Sequence, residues 1–144
     1  MKMRYKVLLL LLCCVWLFAM IATLPELIEV WPERKVVQQT FSTYAEALVN
    51  QRFEEAYGYQ SREFQETISF DSFVQYQRDV QAKFGVLKSV TQRGMTVRKL
   101  RTPSRWRATI VADFQYERAR TSFTFELHRE NDRWKVFSSS GKEI

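Results

Sequence analysis

Three runs in the C-terminal part of the chain, 106–116, 121–129 and 134–139, alternate apolar and polar residues with only short polar breaks between them. Period-two alternation fits a strand with one buried and one wet face, and breaks too short for a crossover make the neighbours antiparallel. Residues 117–120 and the pair Asn131 and Asp132 supply the turns. A fourth run, 86–100, alternates less regularly and holds Gly94 near its middle, which predicts a strand with a bulge or bend, followed by a turn at 101–105. Any fold for this chain must contain a four-strand antiparallel meander with aromatic rings along one face.

The residues before the meander read as helices. Val37, Phe41, Tyr44, Ala45 and Leu48 recur at helical spacing within 36–50. A shorter helix is expected at 53–60, with Phe53, Ala56 and Tyr57 inward and Gly58 weakening its end. Ser61 can cap a turn through Thr67, and Ser69 can cap a helix over 70–84 that Gly85 stops. Phe70, Phe73, Val74, Gln77, Val80 and Phe84 fall on one face of that helix, and Gln77 is its one polar member.

At the other end, 7–24 is an uncharged apolar run behind Lys2, Arg4 and Lys6 and ahead of Glu26, Glu29 and Glu33. As a helix, 18 residues span about 27 Å, near the lower limit for crossing a hydrocarbon core of roughly 30 Å. The flanking charges put 1–6 in the cytoplasm and the rest of the chain outside it, at the inner membrane with a periplasmic domain. A cleaved secretory signal is the competing reading, although Met20 occupies a position where cleavage after Ala22 wants a small residue. Pro32 is expected to end any continuing helix, leaving 25–35 as a linker in which Trp31 either lies at the membrane interface or packs on the domain. Cys13 and Cys14 are the only cysteines, so the domain at 36–144 has neither disulfide nor thiol chemistry.

Charge is split along the chain. Residues 26–84 hold 10 acids and 6 bases, whereas 85–144 hold 13 bases and 6 acids, within a total of +6. Arg93, Arg98, Lys99, Arg101, Arg105 and Arg107 fall in a stretch with no acid between Asp79 and Asp113. They are the candidate partner contacts, for a protein surface or acidic headgroups, unless they form only a solvated hairpin. Pairing between subunits is attractive because Glu54, Glu55, Glu63 and Glu66 make the helical half acidic. Nucleic acid is not expected as a partner outside the cytoplasm.

The helical pair at 45–61, the element order and the terminal strand Asp132-Arg133-Trp134-Lys135-Val136 together resemble the nuclear transport factor 2-like superfamily, over about 36–137. That resemblance implies an α+β fold: an N-terminal transmembrane helix, then a cone of three helices packed on a curved antiparallel four-strand sheet. A single span carrying an extracytoplasmic cone also looks like small bacterial domains of unknown function and, in topology, like inner-membrane scaffold subunits of secretion machines. Catalytic members of the superfamily point acidic, His or Tyr side chains into the cone.

Strand parity tests for such groups. Trp106, Ala108, Ile110, Ala112, Phe114 and Tyr116 share one face, as do Phe123, Phe125 and Leu127, while Asp113 and His128 take the opposite parity and are expected outward, Asp113 paired with a neighbouring arginine and His128 as an exposed strand residue. No catalytic set, metal-ligand spacing or phosphate-cradling loop is present, and no cofactor is expected. A cavity in the cone would be lined from the helices by Phe41, Tyr44, Phe73 and Gln77, and from the strands by Trp106, Phe114, Phe123, Phe125 and Trp134. The expected function is a non-catalytic, membrane-anchored extracytoplasmic accessory or scaffold subunit of an envelope complex. It would touch lipid through its first helix and a protein partner, or a second copy as a homodimer, through its domain. The alternatives are a domain that binds, and even transforms, a small hydrophobic ligand, or a cleaved and secreted form.

Overall fold

The computed structural model describes the backbone of residues 2–101 and 104–143, and their side chains except at 2–12, 17–18, 20–27, 104 and 143. Helices α1 (Lys2–Val49), α2 (Phe53–Gly58), α3 (Arg62–Thr67) and α4 (Phe70–Phe84) precede strands β1 (Leu87–Arg101), β2 (Ser104–Tyr116), β3 (Arg120–Glu130) and β4 (Arg133–Glu143). The fold is α+β, and the strands form one open antiparallel sheet in the order β1-β2-β3-β4. The chain divides into two compact units, Met1–Glu33 and Arg34–Ile144.

The first unit consists of the beginning of α1. Among the described residues no helix is long and apolar enough to cross a membrane. The expected span at 7–24 lies largely outside the residues whose side chains are described. Helix α1 continues through Pro32, so the expected stop there is corrected. A proline within a helix costs about 3 kcal/mol through its missing N–H and its ring. Good helix formers on both sides of it, Glu29, Glu33, Arg34 and Lys35 among them, let a long helix absorb that loss.

The second unit is built on the C-terminal part of α1. Val37, Phe41, Tyr44, Ala45 and Leu48 are all buried, as their spacing requires. Phe41 and Tyr44 meet Phe125 of β3 at ring-centroid distances of 5.1 and 6.0 Å, and Phe125 stacks on Phe114 of β2 at 5.6 Å. Each such ring taken out of water contributes about 1.5–3 kcal/mol, so this cluster ties helix to sheet.

The two serine caps form as expected. Ser61 Oγ accepts from the Phe64 N–H, and Ser69 Oγ accepts from the Ser72 N–H. Between them Tyr57 packs against Phe64, Phe70 and Phe73, and its hydroxyl donates to the Ile68 carbonyl at 2.7 Å. Helix α4 departs from its pattern: only Phe73 is buried, and Phe70 is 38% exposed. Gly85 ends α4 at φ +82°, and a Cβ there would come within 2.6 Å of Glu117 Cβ. Only glycine permits both the backbone angle and this approach. The β2–β3 turn is thereby docked, with the Glu117 and Arg118 N–H groups donating to the Val86 and Phe84 carbonyls.

The hairpin between β3 and β4 turns on Asn131 and Asp132, both at positive φ. Register shifts interrupt the sheet at three places, the first at Lys88 between the pairs Leu87↔Tyr116 and Ser89↔Gln115. Arg93 is extra between the pairs Gln92↔Ala112 and Gly94↔Val111, close to the expected irregularity, and Phe137 is extra between Ser138↔Glu126 and Val136↔Leu127. Strand β1 includes Arg101 and β2 begins at Ser104, so both strands reach into the stretch 101–105 expected as a turn. Strand β4 runs to Glu143, past the expected end at Ser139. Its outer edge is covered in part by the α2–α3 connection: Ser61 N–H donates to the Val136 carbonyl and Val136 N–H to the Tyr59 carbonyl. That parallel bridge shields a strand edge that would otherwise offer open backbone groups.

Candidate functional site

The sheet presents two chemically different faces. On the face covered by α1, Ala108, Ile110, Ala112, Phe114, Tyr116, Phe125 and Leu127 are buried, in agreement with the parity expected from the sequence. That face loses its bulk toward the end of β4. Ser139 pairs with Phe125 and Gly141 with Phe123, so small residues stand where the pattern elsewhere holds rings and branched chains. A Cβ on Gly141 would meet the Phe123 ring at 2.5 Å, so the ring lies directly over that backbone.

Space opens beside these small residues. A cavity of about 460 Å³ is lined by Tyr44 of α1, Gln60, Phe64 and Ile68, Ser72, Phe73, Tyr76 and Gln77 of α4, and Ser138 and Ser139 of β4. A second, of about 400 Å³, shares Tyr76 and is lined by Asp79, Val80, Lys83, Phe84, Tyr116, Thr121, Phe123 and Gly141. The first is large enough for a small molecule. Its polar equipment is neutral: the buried Gln60 amide donates to the Tyr44 hydroxyl at 3.2 Å, and Gln77 adds a second amide. Burial pushes the Tyr44 phenol well above the ordinary tyrosine range, so it stays protonated as a hydrogen-bonding group and cannot serve as a base. Burial likewise raises Tyr116, at the second cavity, to about 12.

Of the nine expected lining residues, Tyr44, Phe73 and Gln77 meet at the first cavity and Phe123 lines the second. Phe114 and Phe125 are spent in the core. Phe41 joins them there and also borders a cleft between α1 and β1. Trp134 is buried, and Trp106 is half-buried at the far end of β2 beneath the Lys99 ammonium, 5.5 Å from the ring. Neither tryptophan lines a described cavity. Gln60, Phe64, Ile68, Ser72, Tyr76, Ser138 and Ser139 were not expected at the site. The run of serines ending in Gly141 was the signal available for it, since it removes side-chain volume from a strand that must face a core.

On the opposite face the titratable groups are consumed by one another. Asp113 has the expected parity but is only 7% exposed, because the bulged Arg93 and Arg120 both close over it with N–O distances of 2.6 Å to Oδ2. The expected arginine partner is present twice. These guanidiniums, Arg93 foremost, hold the Asp113 carboxyl down at about 2. His128, expected exposed, is 5% exposed: Phe137, thrown out of register by its bulge, stacks on the imidazole at 4.1 Å. His128 Nε2 lies 2.6 Å from Glu126 Oε1, which also accepts from Arg107 Nε at 2.9 Å.

The six candidate contact bases separate into two groups. Arg93 and Arg107 are tied into those ion pairs, whereas Arg98, Lys99, Arg101 and Arg105 stand exposed at the end of the β1–β2 hairpin. Arg98 pairs across the sheet with Arg107, and Leu100 with Arg105. Among the described residues no three His, Cys, Asp or Glu side chains converge as ligands for a metal ion.

No protein-family model matches the chain, and no curated protein sequence matches it. Solved structures do. The structure of Bd1075 from Bdellovibrio bacteriovorus superposes at a TM-score of 0.57 with 11% identity, over 77% of this chain and 40% of that one. Aln2 from a Streptomyces species superposes at 0.56 with 9% identity, covering 78% of this chain and 91% of that one. A protein from Catenulispora acidiphila superposes at 0.54 with 13% identity, over 80% and 94%. The chain thus spans less than half of Bd1075 but nearly the whole of the other two, and what it shares with these bacterial proteins is the sheet-rich fold.

Proposed function

We propose that this chain is a non-catalytic accessory subunit of an envelope protein complex, a nuclear transport factor 2-like cone held at the inner membrane by residues 7–24 with its domain in the periplasm. One observation carries the non-catalytic part of this reading. The cavity of about 460 Å³ bounded by α1, α4 and β4 is lined without a carboxylate, imidazole, amine, guanidinium or thiol, while on the other face Asp113 lies under two guanidiniums and His128 under Phe137 and beside Glu126. A serine or tyrosine hydroxyl of that lining needs such a neighbour to activate it as a nucleophile or base. The apolar run and its flanking charges support the anchor. Solubilising native membranes in mild detergent and sizing the protein tests the reading: migration within an assembly is expected, and a lone monomer without any companion defeats it.

The cavity itself favours a second reading, in which the domain holds a small, uncharged, largely apolar molecule. Tyr44, Gln60 and Gln77 would orient one or two polar groups of that molecule, and the rings of Phe64, Phe73 and Tyr76 would cover its body. Titrating an uncharged aromatic probe into the purified protein is expected to quench or shift the tyrosine signals, and Ser139→Phe is expected to abolish that response by filling the space.

A further inference from the structure

We propose that the end of the β1–β2 hairpin of one copy docks head to tail into the groove between α2 and α4 of a second copy, which names the partner left open in the accessory-subunit reading and rests on it. The groove has a volume of about 1000 Å³ and an apolar floor made by Phe53, Phe70 and Val74. Phe70 is the exposed member of this floor, turned out where its helical stripe was expected to turn in. Carboxylates rim it. Glu54 and Asp71 are exposed and enter no ion pair among the described residues, whereas Glu55 is held at 2.8 Å by Arg52, which also reaches Glu46 at 3.2 Å. With Arg78, the groove and its neighbour Glu46 set four carboxylates against two guanidiniums.

The hairpin end has the opposite character. Arg98 and Arg107 stand directly across the strands from each other, an arrangement that opposes like charges. Glu126 relieves Arg107 alone. Arg98 and Arg105 remain exposed and without an ion pair among the described residues, and the half-buried Leu100 lies between Arg98 and Arg105 on the same sheet face. An arginine, a leucine and an arginine therefore meet a carboxylate, a phenylalanine and a carboxylate. The lone positive charges find partners outside their own chain, and the exposed Phe70 finds an apolar cover. The same complementarity runs through the sequence, where 26–84 is acidic and 85–144 is basic. Because hairpin and groove are different surfaces of one molecule, the contact is heterologous, and repeated copies close into a ring or continue as a chain.

The test is charge exchange in the full-length protein in detergent, followed by sedimentation over a range of concentration and salt. Wild-type protein is expected to associate in low salt and to dissociate as salt rises. Arg98→Glu with Arg105→Glu, and separately Glu54→Arg with Asp71→Arg, are each expected to weaken self-association by more than about tenfold. Mixing the two exchanged forms is expected to restore it, because each contact in the mixture again pairs opposite charges. Arg98→Gln with Arg105→Gln provides a milder loss should a charge-reversed form fail to keep the wild-type melting transition. Assembly of the exchanged forms at wild-type strength, or a mixture that does not recover, overturns the proposal. If native assemblies with other proteins survive every exchange unchanged, the head-to-tail contact is wrong and the accessory-subunit reading stands. A wild-type chain that is monomeric and without any companion defeats both.

Discussion

The two faces of the sheet solve the problem of burial in opposite ways. Under α1, strands β2 and β3 bury aliphatic side chains and rings, and stability there comes from area removed from water and from close packing. On the other face, Asp113 and His128 are nearly as inaccessible, yet what covers them is guanidinium, carboxylate and one displaced phenylalanine. Low exposure therefore marks a core on one face and a closed ionic network on the other. The difference shows that the low exposure of a titratable group in this fold comes from what covers it: two guanidiniums over Asp113, and Phe137 with Glu126 at His128.

The comparison is broken most severely on the packed face. Phe125→Ala removes the ring that Phe41, Tyr44 and Phe114 share. A loss of about 3–5 kcal/mol is expected from lost transfer energy and the cavity left behind. Denaturant unfolding followed by circular dichroism measures it. A loss below about 1 kcal/mol would show that α1 is not held to the sheet by this cluster.

How much of this was legible beforehand depended on whether a signal was local. Strand number, strand order and inner parity followed from alternation, since a period of two directly states which side chains share a face. Caps at Ser61 and Ser69 and the stop at Gly85 also followed, because capping is decided within four residues. What parity could not state was depth. Arg93 and Phe137 reach Asp113 and His128 through bulges, and one extra residue in a strand re-aims a side chain without marking the sequence of its target. The cavity was half legible for a related reason. Tyr44, Phe73 and Gln77 lie on helical stripes that can be counted, but the void beside them exists because Ser139 and Gly141 are small, and small polar residues near a chain end read equally well as a fraying strand. The helix through Pro32 was missed because proline's local penalty was weighed without the length of helix around it.

A smaller effect sharpens the comparison at the place where the packed face thins out. Ser139→Val puts an aliphatic side chain beside the cavity at the end of β4, where the serine is one of the lining residues. If the space is simply unfilled, stability rises by about 0.5–2 kcal/mol, the usual return from filling a cavity with a side chain the backbone accepts. Thermal unfolding reads the gain. A loss would mean that the serine hydroxyl is part of the folded structure, which would place this end of the inner face closer in character to the outer one.

The smallest effect belongs to the outer face and is read through pH. Arg93 and Arg120 hold the Asp113 carboxyl near 2, below the ordinary aspartate value of 3.8. A carboxyl depressed in the folded state binds its proton more readily when unfolded, so its stabilisation is complete above the unfolded value and is lost as pH falls through the folded one. The window is therefore between about pH 4 and pH 2. The effect stays modest because the two guanidiniums are themselves 57% and 45% exposed, and water screens what they contribute. Acidifying the wild-type protein through this window is expected to lower its melting temperature, and Asp113→Asn is expected to begin lower at neutral pH and to fall less steeply across the same range. Equal slopes in the two proteins would mean that Asp113 is held by packing alone, and the outer face would then differ from the inner one in composition but not in what stabilises it.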